Sequence, residues 1–150
     1  MATIKRVAGG ISDRIKKLEA LSAKNNAEVG WFGSDGEHPT AEMSYPDLAH
    51  YHATGRDNVP VRDVLEIAKG LYQTTKYPKL QQTLTHYLVT GNGYEAFLDA
   101  LGESFWLEAH SIIGHSPPLA KGRNPTPLVD TGELKDHLSY RTTTNSTLKR

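Results

Sequence analysis

Asp130-Thr131-Gly132, preceded by the apolar pair Leu128-Val129, follows the order in which an aspartic protease presents its catalytic carboxylate. That chemistry needs two such carboxylates to share a proton, so a second Asp-Thr-Gly must face the first across a dimer or an internal repeat. It also belongs to an almost entirely β chain, whereas helical periodicity dominates here. The flanks support another reading. Thr126-Pro127 makes a turn, Glu133 stands three positions after Asp130, and Leu134 opens an amphipathic run. In that order the aspartate accepts from first-turn amides and the glutamate reaches back, a capping box. Pro127, Leu128, Asp130, Thr131, Gly132, Glu133 and Leu134 are therefore expected to be a structural block, with Asp130 as a helix cap and not a catalyst.

Seven histidines raise the question of a metal, and His50-Tyr51-His52 is the tightest group. Helical positions two apart point about 200° from each other, so this pair cannot chelate from a helix. His110 and His115 are misphased as well. Surface or interface histidines are the expectation, with no metal and no cofactor. The sequence has no Gly-Lys-Ser/Thr phosphate loop, Gly-x-Ser-x-Gly elbow or His-Glu-x-x-His. No nucleophile has an evident base, and no catalytic residue is assigned. Trp31, Phe32 and Trp106 could stack on nucleic-acid bases, but an alternating strand beside Val29 makes core or subunit interface their expected place. Arg14, Lys16 and Lys17, with Lys121 and Arg123, are better placed for weak contact with DNA or with a neighbouring subunit.

These residues need a frame to hold them. The spacing Ile11, Ile15, Leu18, Leu21 predicts a helix over 12–23, capped by Ser12 or Asp13. The alternation after Asn25-Asn26 predicts a strand over 27–33. Ser44 caps a short helix with Pro46 in its first turn and Gly55 at its end, and residues 56–61 form an exposed connector. Helical runs follow from Arg62 and from Pro78, the second closed by Gly91-Asn92-Gly93. The strongest periodicity is at 94–115, where Phe97, Leu98, Leu101, Phe105, Ala109, Ile112 and Ile113 build one broad apolar face, the expected central helix. A short helical turn near 132–136 and a strand over 138–144 complete the reading.

With 150 residues, the chain suits a single domain, with polar arms at 1–10 and 145–150. Its apolar fraction of 37% is low, so some surface is expected to be buried only on assembly. The absence of cysteine excludes disulfides and cysteine-based zinc sites. No run of roughly 18 apolar residues could span a bilayer, and no signal peptide precedes the first helix, so a soluble protein is expected. Net charge is zero, which argues against a dedicated nucleic-acid binder. The charge is nevertheless segregated, with a basic stretch up to Lys24 and an acidic middle between Glu28 and Glu108.

In chain order, Ala27-Glu28-Val29-Gly30-Trp31-Phe32, Ala49-His50-Tyr51-His52-Ala53-Thr54-Gly55, Val59-Pro60-Val61-Arg62 and Lys121-Gly122 match a known family pattern. The match continues through Thr126-Pro127-Leu128-Val129-Asp130-Thr131-Gly132-Glu133-Leu134 to Leu138-Ser139-Tyr140-Arg141. Together these segments resemble the bacteriophage virion-morphogenesis family of tail-completion and head-to-tail neck proteins, over residues 27–142. The chain departs from it at His52-Ala53-Thr54-Gly55, where the family often has His-Glu-Phe-Gly. A second departure is Val59-Pro60-Val61-Arg62-Asp63, in place of a proline-arginine-proline cluster.

The resemblance implies an α+β fold, a small, mainly antiparallel sheet packed by several helices around the long helix at 94–115. It further implies a non-enzymatic structural protein of the virion, assembled in the host cytoplasm as a homo-oligomeric ring, a hexamer or dodecamer. Such a ring completes or terminates the tail and joins it to the head connector. Its partners would be neighbouring neck, connector and tail proteins, with genomic DNA passing through non-specifically and no membrane. The rival expectations are an aspartic hydrolase using Asp130-Thr131-Gly132 and a small DNA-binding protein using the basic helix.

Overall fold

A computed structural model describes residues 10–56, 58–74, 78–115, 117–120, 128 and 132–150. Among them the chain is α+β, as expected, with six helices and a two-stranded antiparallel sheet. The helices are α1 (Ile11–Ser22), α2 (Tyr45–Thr54), α3 (Val64–Tyr72), α4 (Pro78–Thr90), α5 (Tyr94–Ile112) and α6 (Glu133–Asp136). The strands are β1 (Ala27–Gly30) and β2 (Ser139–Thr142), in register Ala27 to Thr142 and Gly30 to Ser139.

α5 is the hub: α3 and α4 pack on it, and so do both strands. The expected apolar face explains part of this, since Leu98, Ala109, Ile112 and Ile113 are buried. Small residues explain the rest. Ala100, Gly102 and Ser104 are buried on the same helix, and their size lets neighbours approach closely on more than one side. Ile113 is extended (φ −65°, ψ 126°), so the helix ends at Ile112, short of the expected 115. The core joins Val64 and Ala68 of α3 to Ala109, Ile112 and Ile113, with Leu119 and Leu138 closing it. Four of these seven come from α3 and the end of α5, and Ile113 directly follows that end.

Local chemistry accounts for most boundaries. Ser44 Oγ accepts from the Asp47 N–H (3.2 Å), Pro46 sits in the first turn of α2, and Gly55 ends it at φ 64°. Asp63 caps α3 by accepting from the Glu66 N–H at 3.0 Å. α1 differs from expectation: its N-cap is Gly10, with no side-chain cap, and Ser12 and Asp13 lie inside the first turn. β1 is also shorter than the expected 27–33. β2 offers no partner beyond Ser139, and the Trp31 indole turns away to donate to the Leu134 carbonyl at 2.6 Å.

The C-terminal residues do not form the expected arm at 145–150. Tyr140 and Lys149 exchange backbone hydrogen bonds (3.0 and 2.9 Å), which lays the chain end beside β2. The Lys149 ammonium pairs with Asp99 on α5, and Arg150 pairs with Asp35. Residues 1–9 lie outside the described set. No helix among the described residues is long and apolar enough to cross a membrane.

Candidate functional site

Two neighbouring groups of residues carry the unusual chemistry. The first surrounds Tyr45, the opening residue of α2, which is only 2% exposed. Its ring stacks on His137 (centroids 3.9 Å apart, 14° between planes) and meets His38 edge-on at 5.7 Å. Its hydroxyl donates to the Glu133 carboxylate. Burial, and then the Glu133 carboxylate, push the Tyr45 phenol up to about 12. On β2, burial followed by Asp99 and Glu103 does the same to Tyr140.

Both phenols therefore hold their protons more tightly in the folded chain than at the ordinary tyrosine value of 10.0. The sign follows from proton linkage: their contribution to stability is intact below about pH 10 and is lost as pH rises towards about 12. Urea midpoints measured between about pH 9 and 11.5 should fall over the upper half of that range, and Tyr45→Phe should flatten the fall. A midpoint indifferent to alkali would show that neither phenol is so held.

The second group borders a hollow of about 340 Å³ between the end of β1, α2 and the start of α3. Its walls are largely apolar and include Trp31, Phe32, Pro46, Leu65 and Leu134. His52, on α2, and Arg62, just before α3, supply polarity. The turn closed by Gly55 brings them together, because the Arg62 N–H donates to the His52 carbonyl at 2.8 Å. Arg62 is 7% exposed, and its Nε donates to the Ala120 carbonyl at 2.8 Å. His52 Nδ1 is buried without a hydrogen-bond partner. Burial, and then the Arg62 charge, hold the His52 imidazole below its usual value, so the ring is neutral at pH 7.

Of the residues of the Pro127 to Leu134 block, Leu128 and Leu134 line this hollow. Leu128 packs against the core and lines the hollow with a positive φ of 64°. Gly132, at φ 83°, is the N-cap of α6. Glu133 is thus the first residue of that helix, engaged by Tyr45, and not the third residue a capping box requires. Leu134 is buried, and its carbonyl accepts from Trp31. Pro127, Asp130 and Thr131 lie outside the described residues, as do Lys121 and Arg123. Lys16 and Lys17 are exposed on α1, whereas Arg14 is partly buried and donates to the Leu88 carbonyl of α4 at 2.8 Å. That bond fastens α1 to α4 near the α4 C-terminus, where a cation is favoured.

The two tryptophans are engaged with the core. Trp31 and Trp106 pack against the core and donate to the Leu134 and Leu138 carbonyls (2.6 and 2.8 Å), while Arg141 lies over the Phe32 ring at 4.4 Å. His50 and His52 both lie on α2, and both border the hollow. No cluster of three or more His, Cys, Asp or Glu that could hold a metal ion occurs among the described residues.

Buried Arg62 and the Tyr45–Glu133 bond are the features that sequence reasoning missed. For Arg62 the only signal was its place between two hydrophobic stretches, Val59-Pro60-Val61 and Val64-Leu65. No family model, curated protein or solved structure matches this chain.

Proposed function

We propose that this chain is a non-enzymatic virion protein that forms a homo-oligomeric ring in a phage neck, completing the tail and joining it to the head connector. The reading starts from the ordered segments between Ala27 and Arg141, and the observation that carries it furthest is α1. This helix spans twelve residues and none is buried. Ile11 (61% exposed) and Ile15 (42%) stand one turn apart on it, facing solvent. A helix keeps such a stripe when another surface covers it, and a neighbouring copy in a ring would do so. The low apolar content then has a physical sense, because subunit burial supplements a small core. The segregated charge would orient successive copies or stacked rings.

The DNA-binding alternative would draw on the same helix, but Arg14 is committed to α4. The test is the mass of the full chain in solution, alone and mixed with a connector protein. A closed ring is expected, with Ile15→Asp dissociating it while leaving the circular dichroism unchanged. A persistent monomer under both conditions would overturn the reading, and pepstatin-sensitive proteolysis at acid pH would replace it with the hydrolase.

A further inference from the structure

Arg62 is a buried cation with no ion-pair partner among the described residues. A guanidinium carries five N–H donors and stays protonated in proteins. Here one donor, Nε–H, reaches the Ala120 carbonyl, and Arg62 takes part in none of the ion pairs among the described residues. A cation that is more than nine-tenths buried normally has an anion beside it, because desolvation is otherwise uncompensated. Beside it, His52 Nδ1 is also buried and unpartnered. Asp63 borders the same hollow, but its carboxylate accepts from the Glu66 N–H and caps α3.

The hollow these groups share, about 340 Å³, falls at the lower end of the size of small-molecule sites. Trp31, Phe32 and Pro46 give it flat apolar walls. We propose that it binds a small organic monoanion, a carboxylate carried on a flat apolar body, with the carboxylate on Arg62. One cation among apolar walls suits a single charge. A planar guanidinium fork matches a carboxylate in shape as well as sign. Phosphates and polyanions would need further cations, and Arg62 is the only lysine or arginine among the described residues that line the hollow. This site lies within one copy of the chain and is independent of the ring reading, which rests on α1.

The test is titration of the full-length protein with 3-phenylpropionate and with its neutral isostere 3-phenylpropionamide, read by calorimetry and by the Trp31 indole N–H resonance. Saturable one-to-one binding of the acid is expected, at least about tenfold tighter than the amide, with the Trp31 resonance shifting. Arg62→Met should bring the acid down to the level of the amide. Ala53→Leu, which fills the hollow and leaves Arg62 in place, should weaken both at least about tenfold. If Arg62→Met fails to fold, the contrast between acid and amide and the Ala53→Leu variant still decide. Equal affinity for acid and amide, undiminished binding in Ala53→Leu, or no saturable binding of the acid would each overturn the proposal.

Discussion

Gly102→Val is expected to destabilise the fold by about 3 kcal/mol, at the upper end of what an overpacked core loses. A Cβ at this position would stand 2.8 Å from Tyr140 Cδ2 and 3.4 Å from the Ala27 Cβ, so either α5 lifts from the sheet or the tyrosine ring moves. The ring has little room to move. Tyr140 is 6% exposed, its backbone is held between β1 and Lys149, and its ring lies against Trp106 with the Lys149 ammonium 5.7 Å above it. Alanine would recover about 1 kcal/mol of helix propensity and offset part of the clash, whereas a β-branched side chain adds bulk and recovers less. Urea unfolding of the two variants should therefore rank valine well below alanine. A loss under about 1 kcal/mol for valine would mean that α5 and the sheet are not locked together.

The same glycine shows what periodicity can and cannot find. The α5 pattern was legible because Leu98, Ala109, Ile112 and Ile113 recur at helical spacing and their burial follows from hydrophobicity alone. Gly102 and Ser104 are buried too, but neither carries a hydrophobic signal, and glycine reads as a weakness in the helix. What buries them is tertiary: Tyr72 reaches Ser104, with its hydroxyl 3.3 Å from the serine oxygen, and Tyr140 occupies the space above Gly102. α2 was the most legible element, since the serine cap, the proline in its first turn and the closing glycine all act within a dozen residues. The chain end was illegible for the opposite reason. Residues 145–150 are polar, and nothing local indicates that Lys149 meets Tyr140 and Asp99 or that Arg150 meets Asp35.

Site legibility divides along the same line. The segment around Pro127 to Leu134 stood out by composition, and where it is described Leu134 is buried and Glu133 accepts from a tyrosine 88 positions away in sequence. The hollow bounded by His52 and Arg62 did not stand out. Metal chelation from α2 requires two side chains on one face, and histidine spacing alone argues only about that. The arrangement instead pairs one histidine with an arginine across a turn. An arginine in a short connector reads as solvated by default, and only the fold shows that it is buried and bonded to the Ala120 carbonyl.

Gly55→Ala is expected to cost about 3 kcal/mol and to abolish carboxylate binding in the hollow together with it. The residue sits at φ 64°, where an L side chain alone costs roughly 1–2 kcal/mol. Its Cβ would also meet the Val61 Cγ2 at 2.8 Å, the Val59 carbonyl oxygen at 2.9 Å and the Val61 nitrogen at 3.0 Å, two of them backbone atoms that cannot rotate away. Relief requires moving the connector, and the connector is tied down. Gly55 N–H donates to the Tyr51 carbonyl at 3.1 Å, Val59 N–H to Arg56 at 2.8 Å and Arg62 N–H to His52 at 2.8 Å. The last of these bonds is what sets Arg62 beside His52, so a shift that accommodates alanine separates the two polar groups of the hollow. Gly70→Ala is the contrast. Gly70 is an exposed position of α3 with nothing within 4 Å of its Cβ, and the same substitution should stabilise by about 0.5–1 kcal/mol. If Gly55→Ala were as harmless in urea as Gly70→Ala, or if it unfolded more easily yet still bound 3-phenylpropionate with wild-type affinity, the turn would not be what positions Arg62.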